Sequence, residues 1–518
     1  MPAIRKSLSA SERTVVSHSD PFHPIIYVRG YAMTESAMES TVHTPYMGFN
    51  LGSTRVRQQY DGSYRHYIFE SPLIRLMKEY GYQDAYADGV NLAEPLKDDE
   101  GNPHTTRLGR RSVIIHRYYE SELAEDQGAS ERAGIEQAAQ RLSALIARVR
   151  TLVCGDDSEQ LKSFKVHLVA HSMGGLICRC LLQNTDADTE KTAALVDKVF
   201  TYGTPHNGIE ILGVNVPRFI GLMDVNNFNR RKMAGYFKLK VKDGKVNSLN
   251  GAFPPERFFC FVGTNPGDYN LTRVVVEKAS DGLVTIDNAY VQGAPRAYSY
   301  TSHSGPYGMV NSKEGYDNLV RFLFGDYRLK VSLHPQVLPL SPPLKAAYEE
   351  GHQVRGSYLF DCKIQVRGDD PVPLSNRCID HHSAVFRGFD ELLRPHKAGR
   401  DSPRYPVLAS VFLDSKRIEV GQTMVLSLDL NVEGTDFRIN GSRMLTRRAP
   451  DEHLYRECLT LKVTLHKESW RIRYIFADQS WSDGRGREAE SDEHGTYIPL
   501  TNAKGFSAKL YLDFATWA

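Results

Sequence analysis

Phe164-Lys165-Val166-His167-Leu168-Val169-Ala170-His171-Ser172-Met173-Gly174-Gly175 is an apolar, β-prone run that reaches a serine and then two glycines. A strand that reverses into a helix within one residue forces its apex side chain into strained backbone geometry, and here that side chain is Ser172. The turn closes only if the residues two before and two after are very small, because the strand and helix backbones pass close to each other there. Ala170 and Gly174 meet that demand. Leu176, Ile177, Leu181 and Leu182 follow with helical spacing, so the strand, turn and helix context of a nucleophile elbow is complete. The competing reading is a glycine-rich turn that happens to hold a serine.

The rest of the chain bounds what surrounds this turn. Its 518 residues exceed one ordinary core and predict two domains. A hydrophobic fraction of 41% with 24% charged residues describes a folded protein, and a net charge of +2 supplies no electrostatic footprint for nucleic acid. No run approaches the roughly eighteen consecutive apolar residues of a membrane span. The first twenty residues lack an apolar centre and predict no Sec-type signal peptide. The seven cysteines (Cys154, Cys178, Cys180, Cys260, Cys362, Cys378 and Cys458) are odd in number and scattered, which fits free buried thiols better than a disulfide framework or a zinc cluster. Synthesis in a reducing cytoplasm is the expectation, with signal-independent export left open.

Short β-branched runs alternate with helical patterns over residues 1–330, the signature of a mostly parallel sheet with helices on both faces. Strands are expected at 24–28, 112–119, 164–169, 196–204 and 257–262, and a helix at 71–82. A second helix is expected to start at a Ser130 cap and to bury Ile135, Ala138, Leu142, Leu145, Ile146, Val149 and Val153. Residues 207–255 form an insertion whose apolar stretch 209–223 reads equally as a lid or as a packing helix. Beyond Tyr327 the texture changes. Residues 333–343 carry Pro335, Pro339, Pro342 and Pro343 and read as a linker, and period-two strands at 407–412, 423–430, 458–465 and 470–476 predict an all-β, sandwich-like domain over 331–518. Asn440-Gly441 and Asp483-Gly484 are its turn signals.

A serine hydroxyl needs a histidine to take its proton, and that histidine needs a carboxylate to fix its tautomer. In the chain order of α/β-hydrolases, Asp281 in Ser280-Asp281-Gly282-Leu283-Val284 is the expected acid, with Asp268 its rival. His303 in Ser302-His303-Ser304-Gly305 is the expected base, ahead of His206 and His171. Both loops fall after predicted strands, at the sheet edge where such folds carry their sites. The two oxyanion donors are expected to be the backbone amides of Met173 and Tyr31.

These stretches resemble a family. The strand ending at Arg29-Gly30 is similar to the His-Gly oxyanion turn of lipases, with arginine where histidine is usual, and Ala170 to Gly175 resembles the Ala-His-Ser-Met-Gly-Gly elbow of small bacterial lipases. Thr201-Tyr202-Gly203-Thr204-Pro205-His206-Asn207-Gly208 resembles the Gly-Thr-Pro-His motif that follows the next strand. With the Asp281 and His303 loops, the likeness to triacylglycerol lipases and to GPI-inositol-deacylase-like esterases covers about residues 22–325. The tail shares none of it. The resemblance implies a serine carboxylic ester hydrolase of lipase or phospholipase type with a lipid or ester substrate and no organic cofactor. Similar lipases often carry a structural calcium, but no aspartate-rich loop here argues for one, and no metal is expected. The β domain is a candidate for contact with a membrane surface, a protein partner or a delivery apparatus. The alternatives are a lipid-degrading toxin delivered to other cells and a non-catalytic hydrolase-fold protein that binds a ligand; an amidase or acyltransferase would use the same triad.

Overall fold

Strands buried on both faces read as continuous apolar runs, and Ile25–Val28 and Phe258–Gly263 are buried at every position. In the computed structural model these runs belong to a seven-stranded parallel sheet. Its strands in chain order are β1 (Ile25–Val28), β2 (Gln83–Asp84), β3 (Ser112–His116), β4 (Val166–His171), β5 (Val196–Tyr202), β6 (Phe258–Gly263) and β7 (Arg296–Ser299). Their spatial order is β2-β3-β1-β4-β5-β6-β7, with β1 and β4 side by side at the centre. The structure describes residues 22–30, 53–58, 64–69, 71–85, 96–97, 103–104, 108–116, 118, 134–211, 214–215, 228–241, 244–266, 279–305, 307–368, 372–377, 385–388, 392, 405–418, 423–441, 445–448, 452–466, 469–482 and 486–517.

Helices cover this sheet as an α/β-hydrolase fold requires. Ser71 caps Pro72–Tyr80 by accepting from the Ile74 amide, and Gly81 closes it in the left-handed conformation. The helix Ile135–Cys154 buries all seven apolar positions that its sequence period marks. Its start differs from expectation: Gly134 is the N-cap and makes no side-chain bond, while Ser130 lies outside the described residues. The stripe sets where this helix begins to bury surface, and the cap follows the stripe. Within 207–255 the structure describes a two-stranded hairpin, Glu210–Ile211 with Val214–Asn215, and a helix Arg230–Tyr236. Most of 209–223 lies outside the described residues. Six of the seven cysteines are free, five of them buried; Cys378 is outside the described set. No helix among the described residues is long and apolar enough to cross a membrane.

The carboxy-terminal part consists of antiparallel sheets, in keeping with an all-β domain. One has the order Val407–Leu413, Tyr327–Val337, Ser507–Thr516, Gly495–Thr501, Glu490–Asp492; the other is built on the long strands Gln353–Val366, Thr423–Gly441, Glu452–His466 and Ser469–Phe476. The proline-rich stretch is not an irregular linker. The strand Tyr327–Val337 runs through the expected 330/331 boundary, and Pro342 and Pro343 open the helix Pro342–Glu349. Pro335 is tolerated because the pairing with Val407–Leu413 ends at Ser332, so on that side its missing N–H leaves no ladder bond unmade. Asn440-Gly441 ends a strand paired to Leu445–Arg448 in place of forming the turn itself, and the Asp483-Gly484 signal falls outside the described residues.

The two parts share surface. Phe322 on the helix Lys313–Phe324 meets Phe412 at 4.9 Å and Trp517 at 5.5 Å, and Phe259 of β6 meets Phe412 at 5.6 Å. The exposed edge of β7 is also covered. Asn376 donates its amide to the Tyr298 carbonyl at 2.8 Å, and the Tyr298 amide donates to Ser375 Oγ at 3.2 Å. An edge strand left open would offer its N–H and C=O groups to other chains, and residues 372–377 close it.

Candidate active site

Ser172 stands between β4 and the helix Met173–Gln183 with φ 52° and ψ −124°, a conformation side-chain-bearing residues rarely adopt. Its neighbours hold it there. The Ser172 amide donates to the Tyr202 carbonyl at 2.9 Å, and Thr204 Oγ1 donates to the Ser172 carbonyl at 2.8 Å. The close approach predicted for the small residues is present: a Cβ on Gly174 would lie 2.2 Å from the Val28 carbonyl oxygen, and one on Gly30 would lie 2.9 Å from Ser172 Cβ. Only glycine fits at either place.

Asp281 and His303 sit in loops after β6 and β7, at the carboxyl edge of the sheet beside Ser172. The loops are tied to each other, since the His303 amide donates to the Asp281 carbonyl at 2.9 Å. Asp281 Oδ1 accepts from the Leu283 and Val284 amides at 3.0 and 2.8 Å, which leaves Oδ2 aimed at His303 Nδ1, 2.8 Å away. His303 Nε2 is 2.9 Å from Ser172 Oγ. The carboxylate accepts only, so the partners assign the proton to Nδ1 and leave the Nε2 lone pair facing the serine hydroxyl. All three residues are buried, with Ser172 the most open at 8%. Met173 follows as the first residue of the helix, where the N–H has no intrahelical partner and the helix dipole is positive. Tyr31 and Asp268 lie outside the described residues.

The two rival histidines have other partners. His206 is buried edge-on against Phe258, its Nε2 3.2 Å from Thr201 Oγ1. His171 Nε2 lies 3.0 Å from the His303 carbonyl, and the rings are 4.9 Å apart. Burial, with His303 and Arg29 nearby, holds the His171 pKa well below the usual imidazole range, so the ring is neutral and its Nε2–H donates to that carbonyl. Sequence reasoning placed His171 only as a neighbour of the elbow; its hold on the His303 loop is a contact between residues far apart in the chain. It also missed Arg179, the largest fully buried side chain. The Arg179 guanidinium donates to the carbonyls of His206, Val246 and Ser248 at 2.8–3.0 Å and stacks on Phe237 at 3.9 Å. Burial lowers its pKa to about 9, so it remains a cation pinning the elbow helix to the two loops that flank it. A lone arginine in an apolar helix carries no signal of that role.

A central parallel sheet with a strained serine at the end of its fourth strand, and an acid and a histidine on the next two carboxyl-end loops, defines an α/β-hydrolase. Residues 81–250, which include the elbow but neither Asp281 nor His303, match the family model described as "PGAP1-like alpha/beta domain". Among solved structures the chain is similar to the product of the gene lin2722 from Listeria innocua, with 11% identity over 58% of this chain and 94% of that one and a TM-score of 0.28. It is also similar to a chain described as a cell surface hydrolase from Lactobacillus plantarum WCFS1, with 12% identity over 59% and 91% and a TM-score of 0.24. No curated protein matches.

Proposed function

We propose that this chain is a serine-dependent carboxylic ester hydrolase of lipase or phospholipase type that acts through an acyl-enzyme on Ser172. The observation that carries this reading is the continuous hydrogen-bonded chain from Ser172 Oγ through the His303 ring to Asp281. His303 Nε2 takes the hydroxyl proton as Oγ attacks the ester carbonyl, and Asp281 stabilises the imidazolium that forms. The Met173 amide, with Tyr31 as the second donor, stabilises the oxyanion of the tetrahedral intermediate. The intermediate collapses with cleavage of the ester C–O bond, and the alcohol leaves with the proton from His303. Water, deprotonated by the same nitrogen, then releases the carboxylic acid and restores Ser172. Every covalent step is accounted for by these residues.

The lipid substrate rests on the resemblance of the elbow, the Gly-Thr-Pro-His stretch and the two loops to lipases. A non-catalytic ligand-binding role is disfavoured by an intact and mutually bonded Ser172, His303 and Asp281. The test is a panel running from short-chain p-nitrophenyl esters through triacylglycerols to phospholipids. The reading expects hydrolysis that rises on the lipid substrates and disappears in Ser172→Ala; turnover of small esters alone would remove the lipid assignment and keep the esterase.

A further inference from the structure

At the opposite, amino-terminal edge of the sheet, three groups able to bind a metal converge from three adjacent chain segments. His23 precedes β1, His167 is the second residue of β4, and Asp197 is the second residue of β5. Their ligand atoms all lie within 4.8 Å of one another. His167 Nδ1 and Asp197 Oδ2 are 3.5 Å apart, and the His23 and His167 rings are 5.1 Å apart. Two ligands bound tetrahedrally at about 2.0 Å from one zinc ion are separated by about 3.3 Å, whereas an N–H···O hydrogen bond prefers about 2.9–3.0 Å.

We infer that His23, His167 and Asp197 form a zinc site that staples the starts of β1, β4 and β5. Two imidazoles and one carboxylate are a borderline-soft donor set suited to Zn²⁺ and unsuited to calcium, which takes only oxygen. Metal-ligating carboxylates are held by hydrogen bonds of their own, and Asp197 has this support: Arg257 binds its Oδ1 and also donates Nε–H to its backbone carbonyl at 2.9 Å, leaving Oδ2 facing the histidine. His167 is fully buried, while His23 and Asp197 are half-buried, so an ion reaches the cluster from solvent and a water completes its fourth position. The five-residue run of β4 from His167 to Ser172 separates the site from the serine by about 16 Å. The role is therefore structural, and it stands independently of the ester hydrolase reading. No local motif announces the site, because its ligands come from segments far apart in the chain.

The experiment uses the full chain stripped with EDTA and titrated with ZnCl₂ in competition with a chromophoric chelator, with thermal unfolding followed in parallel. One equivalent of zinc binds and raises the midpoint of unfolding, and X-ray absorption shows nitrogen and oxygen at about 2.0–2.1 Å without sulfur at about 2.3 Å. His23→Ala weakens binding by more than about a hundredfold, since loss of even an outer partner costs ten- to a hundredfold, and abolishes the zinc-dependent rise. Its fluorophosphonate labelling is unchanged. Asp197→Asn gives the same loss and serves should His23→Ala fail to fold. Absence of stoichiometric binding by the wild-type chain overturns the proposal, as does a sulfur-rich absorption spectrum or zinc binding that survives both substitutions.

Discussion

The indole Nε1 of Trp517 donates to the Phe322 carbonyl at 2.7 Å, so a residue at the far end of the chain is bonded to the last helix of the hydrolase unit. The Trp517 amide donates to the Asp326 carbonyl as well, and the indole stacks on Phe322. Together with Phe412 it covers apolar surface that belongs to the sheet and its helix. A chain cut after Tyr327 is accordingly expected to be insoluble or markedly less stable than the full protein, contrary to what a proline-rich linker suggests. Trp517→Ala is expected to cost about 3–5 kcal/mol in urea unfolding, as for other buried tryptophans. A truncated chain that unfolds at the wild-type midpoint would show the two parts to be energetically independent.

Gly174→Ala is expected to be severely destabilising. The added methyl meets the Val28 and Arg29 carbonyl oxygens at 2.2 and 2.6 Å, and backbone atoms of a central strand cannot step aside as a flexible side chain can. Ser172→Gly tests the same turn from the other side. Glycine accepts a positive φ without strain, so this variant loses activity and gains about 1 kcal/mol of stability over Ser172→Ala. Equal midpoints for the glycine and alanine variants would argue against stored strain at the apex.

These contacts show which parts of the molecule were legible in its sequence. Ala170, Ser172 and Gly174 act within one turn, so their spacing carried the geometry directly, and the fully buried strands announced themselves as unbroken apolar runs. The Asp281 and His303 loops followed from chain order once Ser172 was placed. What escaped depends on tertiary context. Pro335 looks like a strand breaker until the end of the neighbouring strand at Ser332 is known, and His171 and Arg179 act by reaching backbone carbonyls distant in the chain. Ser130 has the chemistry of a helix cap, but the buried stripe begins at Ile135.

Stability is expected to fall on mild acidification. Burial lowers the His116 pKa to about 4, with nearby Arg141 acting in the same direction against a partly compensating bond to the Ala138 carbonyl. Burial lowers His171 and His206 in the same sense. The unfolded chain takes up each proton near pH 6.5 and the folded chain only well below it. The contribution is therefore complete above about pH 6.5 and is lost as pH falls toward 4, about 3 kcal/mol for His116 alone. Urea unfolding of His116→Gln between pH 6.5 and 5 should show a slope shallower than wild type by about 1.4 kcal/mol per pH unit; an unchanged slope would mean that His116 titrates normally in the folded protein.

His303→Ala is expected to lower ester turnover by several orders of magnitude. Asp281→Asn should lower it by about 10⁴-fold, because the amide favours the wrong imidazole tautomer. Asp268→Asn should leave it near wild type. A damaging Asp268 change with a mild Asp281 change would place the acid on the other side of the same connection.

The most direct measurement is peptide mapping by mass spectrometry after reaction of the full chain with a fluorophosphonate. An activated serine reacts where an ordinary one does not, because a base beside it removes its proton. One adduct, on Ser172, absent from Ser172→Ala and strongly reduced in His303→Ala, is the predicted result. No adduct on the folded chain, or an adduct on another serine that persists in Ser172→Ala, would contradict the assignment of Ser172 as the nucleophile.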